Sequence, residues 1–376
     1  YFESLFDIPI DDLHTPCYLT DARLLQKNTA LLKQIQQRTG CKILLAQKAF
    51  SMFSAYPLIR DDLSGTTASG LFEAKLGREH FGKEVHVFSP AYTQEDFTQL
   101  LELCDHIVFN SFGQWKKYRQ QVQDATRNIS CGIRINPGYA EVETDLYNPC
   151  ISGSRMGVPL EQMEDDDFAG LDGIHFHTMC EQNSDVLERT LDHMLPQFCK
   201  WVNFGGGHHI TRPDYDVERL VRCIERVRDT YGVQVYLEPG EAIALNAGYL
   251  VATVLDVVHN GMDIAILDAS AACHMPDVLE MPYRPHILYS GTAGEKAYTY
   301  RLAGNTCLAG DVIGDYSFDH QLQSGEKLVF CDMAIYSMVK NNTFNGVPLP
   351  DIALYQNGHI DLVKRFGYAD FEGRLS

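Results

Sequence analysis

No apolar stretch in the 376 residues approaches the roughly 20 that a helix needs to cross a bilayer. The opening Tyr1-Phe2-Glu3-Ser4-Leu5-Phe6-Asp7 lacks the basic start and apolar centre of a secretory signal. The eleven cysteines are an odd number with no C-x-x-C pair among them, which argues against a zinc ribbon and against a complete disulfide framework, and fits a reducing compartment. Basic residues are few beside acidic ones, 31 against 50. The resulting formal net charge of −19 argues against a nucleic-acid surface and would draw in small cations. Internal repeats and low-complexity segments are absent as well. The expectation is a soluble, cytoplasmic protein that binds neither membrane nor nucleic acid. Composition, 45% hydrophobic and 22% charged, is that of a large core with a second, smaller domain.

After Thr20-Asp21, which can cap a helix, eight short apolar runs alternate with amphipathic helical patterns. The runs are 42–47, 64–68, 85–88, 106–109, 131–136, 173–177, 201–204 and 233–237. Helical patterns occupy 70–80, 95–103, 185–195 and 217–231. Repeated strand-helix order means a parallel sheet, and eight units favour an α/β fold closed into a (β/α)8 TIM barrel over residues 22–246. From about Gly248 the texture changes to β-rich runs, 249–258, 262–268, 298–302 and 327–331, broken by Gly, Pro and Asp. These predict a C-terminal, mostly antiparallel β-sandwich or β-barrel domain, 247–376, that also takes in residues 1–21 through the run Thr15 to Leu19.

In such a barrel the chemistry lies where the strands end. The first run ends at Lys48. An amine held at an apolar strand end can lose its proton and form an imine with an aldehyde such as pyridoxal phosphate; the alternative is a basic residue with its head in water. The fifth run holds Arg134-Ile135-Asn136 and the seventh ends in Gly205-Gly206-Gly207, whose bare backbone amides suit a close approach by phosphate, though such a triplet is as often a flexible turn. Gly240, opening a predicted helix at 241–245, supplies a second backbone contact. Glu238 facing a pyridine nitrogen would keep it protonated and electron-accepting, which suits decarboxylation; the alternative is a surface glutamate before a turn. His177 can stack on the ring, with His175 on the same side of its strand. His-x-His is also a metal pair in barrel hydrolases, but there it sits on the first strand, where this chain has Lys48, so no metal is expected. Cys307, in a tight turn closed by Asp311, can donate a proton or be a small buried hydrophobe. Tyr336 offers a phenol to phosphate.

Taken in order, Leu44-Leu45-Ala46-Gln47-Lys48-Ala49-Phe50, Thr66 to Glu73, Gly173 to Glu181, Glu238-Pro239-Gly240-Glu241-Ala242 and Cys307 to Asp311 make the chain resemble the alanine racemase-like, fold-type III family of pyridoxal phosphate enzymes. Within it the chain is similar to the carboxynorspermidine (carboxyspermidine) decarboxylases. The resemblance covers essentially the whole chain and implies a homodimer with shared active sites. It puts the Schiff base on Lys48, the ring against His177, the pyridine nitrogen at Glu238, and phosphate at Gly206, Gly207, Gly240 and Tyr336. Arg134 lies near the cofactor, and Cys307 and Asp311 reach in from the second subunit, Cys307 returning the proton to Cα. Four departures from ornithine and diaminopimelate decarboxylases accompany this: Glu241 in place of a phosphate-binding arginine, Thr66 in place of an aspartate, Cys180 in place of a phosphate-contacting serine, and Leu308 in place of the acid that reads the far end of a short substrate. They fit a longer carboxylated polyamine, with Asp268, Asp277, Glu280 and Asp311 as carboxylates for its distal amines. The rivals are an ornithine, lysine or diaminopimelate decarboxylase, which Leu308 disfavours, and a non-catalytic, antizyme-inhibitor-like binding protein, which intact Lys48, Cys307 and Glu238 disfavour.

Overall fold

The structure is a computed structural model that describes residues 2–163, 165–194 and 199–376; Tyr1 and Leu195, at the ends of two segments read above, lie outside the described residues. The chain divides into two compact units, one from Gln26 to Ile243, the other made of the segments up to Leu25 and from Ala244 onwards.

Strand β1, Cys17–Asp21, belongs to the second unit. The first unit contains β2 (Lys42–Ala46), β3 (Gly65–Ala68), β4 (Glu84–Phe88), β5 (His106–Phe109), β6 (Ser130–Asn136), the two-residue β7 (Val158–Pro159), β8 (Gly173–His175), β9 (Trp201–Asn203) and β10 (Gln234–Leu237). All neighbours in it run parallel. The ring closes because β10 pairs with both β9 and β2 and β5 with both β4 and β6, leaving β7 as a flap on β6. All eight expected runs are the ring strands. Three stop short of the expected end, β2 at Ala46, β8 at His175 and β9 at Asn203, so that Lys48 and His177 stand on the turns above the barrel. No helix starts directly after Lys48. The Ala49 amide bonds to the Ala46 carbonyl (3.2 Å) in a tight turn, and helical turns begin only at Phe53–Ala55 and Tyr56–Ile59, the second with Pro57 in its first turn.

The crossover helices follow their caps. Val217–Tyr231 begins where the Asp216 side chain accepts from the Arg219 amide and ends at Gly232 in the left-handed region. Gln94–Leu103 is capped by Thr93. Inside the ring Leu44, Val108, Trp201 and Tyr236 pack together. Gly132 and Gly173 make room for the indole, since a Cβ on either would collide with it. At the N-terminal strand ends Lys42 pairs with Glu84, His86 Nε2 lies 3.0 Å from Glu84, and the rings of His86 and His106 stack at 3.9 Å.

The second unit is one nine-stranded sheet: β1, β11 (Gly248–His259), β12 (Asp263–Leu267), β13 (Gly291–Thr292), β14 (Tyr298–Ala303), β15 (Val312–Phe318), β16 (Lys327–Cys331), β17 (Asp351–Gln356) and β18 (His359–Lys364). It is antiparallel except at β1–β17 and β12–β14. The N-terminal strand is inside it as expected, paired with β11. Alternate residues of β1 and β11 enter two cores, as a period of two requires: Tyr18, Leu250 and Ala252 one, Cys17, Leu19, Tyr249 and Val251 the other. Strands β1, β11, β12, β14, β15 and β16 contribute to the first core; Phe2, Phe6 and Ile10 cover the second.

Candidate active site

Lys48 follows β2 by two residues. A Cβ on Gly240 would meet Ala49 Cβ at 2.6 Å, so only a glycine lets the end of β10 lie on the lysine's turn. Part of the Lys48 side chain is reached by water, yet protein crowds the amine enough that desolvation is the largest influence on its proton. Desolvation and the Arg134 guanidinium push its pKa below the ordinary value, against the opposing pull of Glu238, Cys180 and Glu73. Among the described residues none hydrogen-bonds or ion-pairs with this amine.

Glu238, 6% exposed, directly follows β10 and meets two partners, one from β8 and one from β9. His175 Nε2 lies 2.9 Å from Oε2, and Asn203 Nδ2 donates to Oε1 at 2.9 Å. Burial alone would raise the carboxyl, but His175 and Thr67 outweigh it and hold it at about 2. Burial pushes His175 the other way, against the pull of Glu238; its Nε2 faces the carboxylate and its Nδ1 has no hydrogen-bond partner. The result is a fixed negative charge in a dry site. Phe88 stacks on His175 at 5.6 Å and carries the Arg134 guanidinium over its own ring at 4.7 Å. Arg134 also donates to the His177 carbonyl at 3.1 Å, and desolvation lowers it to about 10.

The glycine triplet is a shaped turn. Gly205 and Gly207 have φ of 70° and 80°, and a Cβ at Gly207 would collide with the Met179 carbonyl. The Gly206 amide donates to His177 Nδ1 at 3.3 Å, which puts the ring's proton on Nε2. Desolvation, Lys48 and Arg134 keep that ring neutral. Burial raises the Cys180 thiol to about 12; it also feels Glu241 and Lys48, so these groups share one neighbourhood. His209 Nε2, buried and without a hydrogen-bond partner, is 3.7 Å from Glu241 Oε1.

The structure thus gathers Lys48, Arg134, His177, Cys180, Gly206, Gly207, Glu238 and Gly240 at one end of the barrel unit. The other expected residues lie in the sheet unit. Cys307 is exposed between β14 and β15, and Tyr336 is half-buried with φ of 47°. The four carboxylates read as amine binders are already engaged. Asp268 accepts from Thr15 Oγ1 (2.6 Å) and the Thr253 amide (2.7 Å). Asp277 and Glu280 both take Lys340, the latter at 2.7 Å. Asp311 is 3% exposed, its oxygens taken by Ser270, Thr306 and the Ala272 amide. For Asp311 the geometry gives a bracing job instead of an open carboxylate.

His175 and His177 do not converge on a metal, since one is bonded to Glu238 and the other to Gly206. Among the described residues the one ligand-like cluster is Glu84, His86 and His106 at the opposite strand ends. Parallel rings aim their lone pairs along parallel planes, and Lys42 already neutralises Glu84. Sequence reasoning missed Asn203, Thr67 and Phe88. Asn203 did carry a signal, a polar residue inside an apolar run.

A family profile described as "Pyridoxal-dependent decarboxylase, C-terminal sheet domain" matches residues 17–334. The chain is 41% identical over 382 residues to the carboxynorspermidine/carboxyspermidine decarboxylase of Campylobacter jejuni, covering 97% of this chain and 99% of that one. It is 42% identical over 376 residues to the carboxyaminopropylagmatine decarboxylase of Synechocystis, covering 97% and 96%. The crystal structure of carboxynorspermidine decarboxylase complexed with norspermidine, also from Campylobacter jejuni, superposes with a TM-score of 0.88 at 40% identity, covering 96% of this chain and all of that one. This chain belongs to the pyridoxal-dependent decarboxylase family, on the branch that holds the carboxynorspermidine/carboxyspermidine decarboxylases.

Proposed function

We propose that this protein removes the α-carboxylate of carboxynorspermidine or carboxyspermidine, yielding norspermidine or spermidine in polyamine biosynthesis, with pyridoxal 5′-phosphate held on Lys48. The observation that carries this is the Lys48 amine, which has no hydrogen-bond or ion-pair partner among the described residues and a lowered pKa, within electrostatic reach of the charged carboxylate of Glu238. The cofactor fits what is present: an amine for its aldehyde, a glycine turn whose backbone leaves no room for a Cβ, a neutral imidazole, and a carboxylate for its ring nitrogen. When bound, it supplies an electron sink for the pair left at Cα as carbon dioxide departs.

Each residue then has a physical task. Lys48, with its pKa lowered, holds a larger neutral fraction near pH 7 and would be the amine that holds the cofactor through its aldehyde. Glu238 keeps a proton on the ring nitrogen because His175 and Asn203 hold its carboxylate ionised and aimed. His177 would offer its neutral ring to the cofactor. Gly206, Gly207, Gly240 and Cys180 would surround the phosphate, while Glu241 leaves more of that work to backbone amides. Cys307 of a second copy returns the proton to Cα, in a homodimer with shared sites. Eleven free thiols support a cytoplasmic location.

A second reading is decarboxylation of carboxyaminopropylagmatine, favoured by the Synechocystis relative at equal identity. The bond broken is the same and only the distal group, amine or guanidine, differs. Carbon dioxide release from the three synthetic substrates by the cofactor-loaded protein separates the readings. Release from either triamine, abolished in Lys48→Ala, is the expected result; a silent wild type or an equally active variant overturns the proposal.

A further inference from the structure

Cys307 sits on an exposed turn, and two sets of contacts hold its backbone. From below, the buried Asp311 accepts from Thr306 Oγ1 (2.7 Å) and Ser270 Oγ (2.8 Å), and a Cβ on Gly304 would press into its carboxylate. Thr306 Oγ1 in turn accepts from the Leu308 amide at 3.3 Å. From the side, Asn345 Oδ1 accepts from the amide of Cys307 itself at 2.6 Å. Asn345 is in the left-handed region, φ 58° and ψ 14°, inside the turn Phe344–Gly346. That turn carries the end of the chain. Arg374 donates to Thr343 Oγ1, and the Phe371 ring lies 3.7 Å from where a Cβ on Gly346 would be. The helix Tyr368–Glu372 that presents Phe371 is closed by the Asp370 carboxylate on the Gly367 amide at 2.8 Å. A link therefore runs from the C-terminal helix through Asn345 to the peptide of Cys307.

We infer that Asn345, braced by the C-terminal segment, is a positioning residue that fixes where the Cys307 thiol delivers its proton. The inference rests on reading Cys307 as the proton donor. A cysteine side chain has one rotatable bond to its sulfur, so a fixed peptide leaves few places for Sγ, and misplacement by about 1 Å can cost on the order of 10² in a directed transfer. When the bond to the carboxylate breaks and carbon dioxide leaves, the electron pair takes up one proton. Moved from Sγ to Cα, it gives the product amine, and solvent reprotonates the thiolate. Moved from water to the former aldehyde carbon of the cofactor, it is followed by hydrolysis of the carbon–nitrogen bond, giving the aldehyde of the polyamine and the amine form of the cofactor. The ratio of aldehyde to carbon dioxide therefore reads the aim of the thiol.

Asn345→Gly keeps the left-handed backbone and removes the acceptor, whereas Asn345→Asp keeps an oxygen in the same place. On the cofactor-loaded protein with carboxynorspermidine, Asn345→Gly is expected to raise the aldehyde share by about tenfold. Asn345→Asp should return it to within about twofold of wild type, and Arg374→Ala should move it in the same direction as Asn345→Gly, by less. A folded Asn345→Gly protein with the wild-type ratio overturns the inference; should that variant not fold, an unchanged ratio in Arg374→Ala does so. Cys307→Ser tells the two layers apart. If it too leaves the ratio unchanged, the reading of Cys307 as donor fails and takes the inference with it; if it alone raises the ratio, only the role of Asn345 fails.

Discussion

Single residues in this site are set by their neighbours' charge as much as by their own type. Glu238 shows it best: burial works against its carboxylate, yet His175 and Thr67 hold it at about 2 against an ordinary 4.5. A carboxyl depressed on folding adds stability that is complete above about pH 4.5 and is lost as pH falls through about 2, in all on the order of 3 kcal/mol. Glu238→Gln should flatten the acid limb of a urea-unfolding series taken between pH 5 and pH 2.5. It should also lower kcat by roughly 10²-fold or more, because an amide cannot keep the ring nitrogen protonated. An unchanged kcat would remove Glu238 from the chemistry. Gly207 is constrained by geometry instead: with φ of 80° and the Met179 carbonyl in the way, Gly207→Ala is expected to cost about 2 to 3 kcal/mol in thermal or urea unfolding. Lys48, Glu238 and the glycines stood out in the sequence because they close apolar runs. Asn203, Thr67 and Phe88 did not, since which side chain of a buried strand meets the site depends on the register with the next strand.

At the scale of elements, residues read as one group divide by what holds them. Asp277 and Glu280 flank the short helix Asp277–Glu280, and Lys340 lies across both. These carboxylates do bind an ammonium, and it is the chain's own. Ion pairs this accessible contribute about 1 kcal/mol or less each, so Lys340→Met should barely change stability. If the pair is the intended seat of a distal amine, the same variant should tighten norspermidine binding several-fold in calorimetry; weaker or equal binding would place the polyamine's tail elsewhere. The ring strands were legible because a parallel strand buried on both faces reads as an unbroken apolar run. The strands β15, β17 and β18 were not read. β18 is exposed along most of its length, and β15 is interrupted by Gly314 and Asp315, the latter matched by Arg301 at 2.8 Å on β14. The helix Phe112–Gln123 was also passed over, being polar on most of its surface.

For the molecule as a whole, the proposed dimer with shared sites makes a quantitative claim. Lys48→Ala would release no carbon dioxide and Cys307→Ala, which still releases it, would form little product amine, but if one copy supplies the amine and the other the thiol, random mixing puts half of the dimers in the mixed form with one intact site of two. Co-expression should then restore about a quarter of wild-type norspermidine formation from carboxynorspermidine; no recovery would mean each copy is self-sufficient. The order of apolar runs and the residue closing each were written in the sequence, because strand period, strand length and turn chemistry are local. Barrel closure, the pairing of β1 with β11 and the engagement of Asp268, Asp277, Glu280 and Asp311 were decided only by the tertiary structure. A carboxylate's partner is chosen by distance in space, and residues 63 and 60 positions apart in the chain, as Lys340 is from Asp277 and Glu280, meet only once the fold has brought them together.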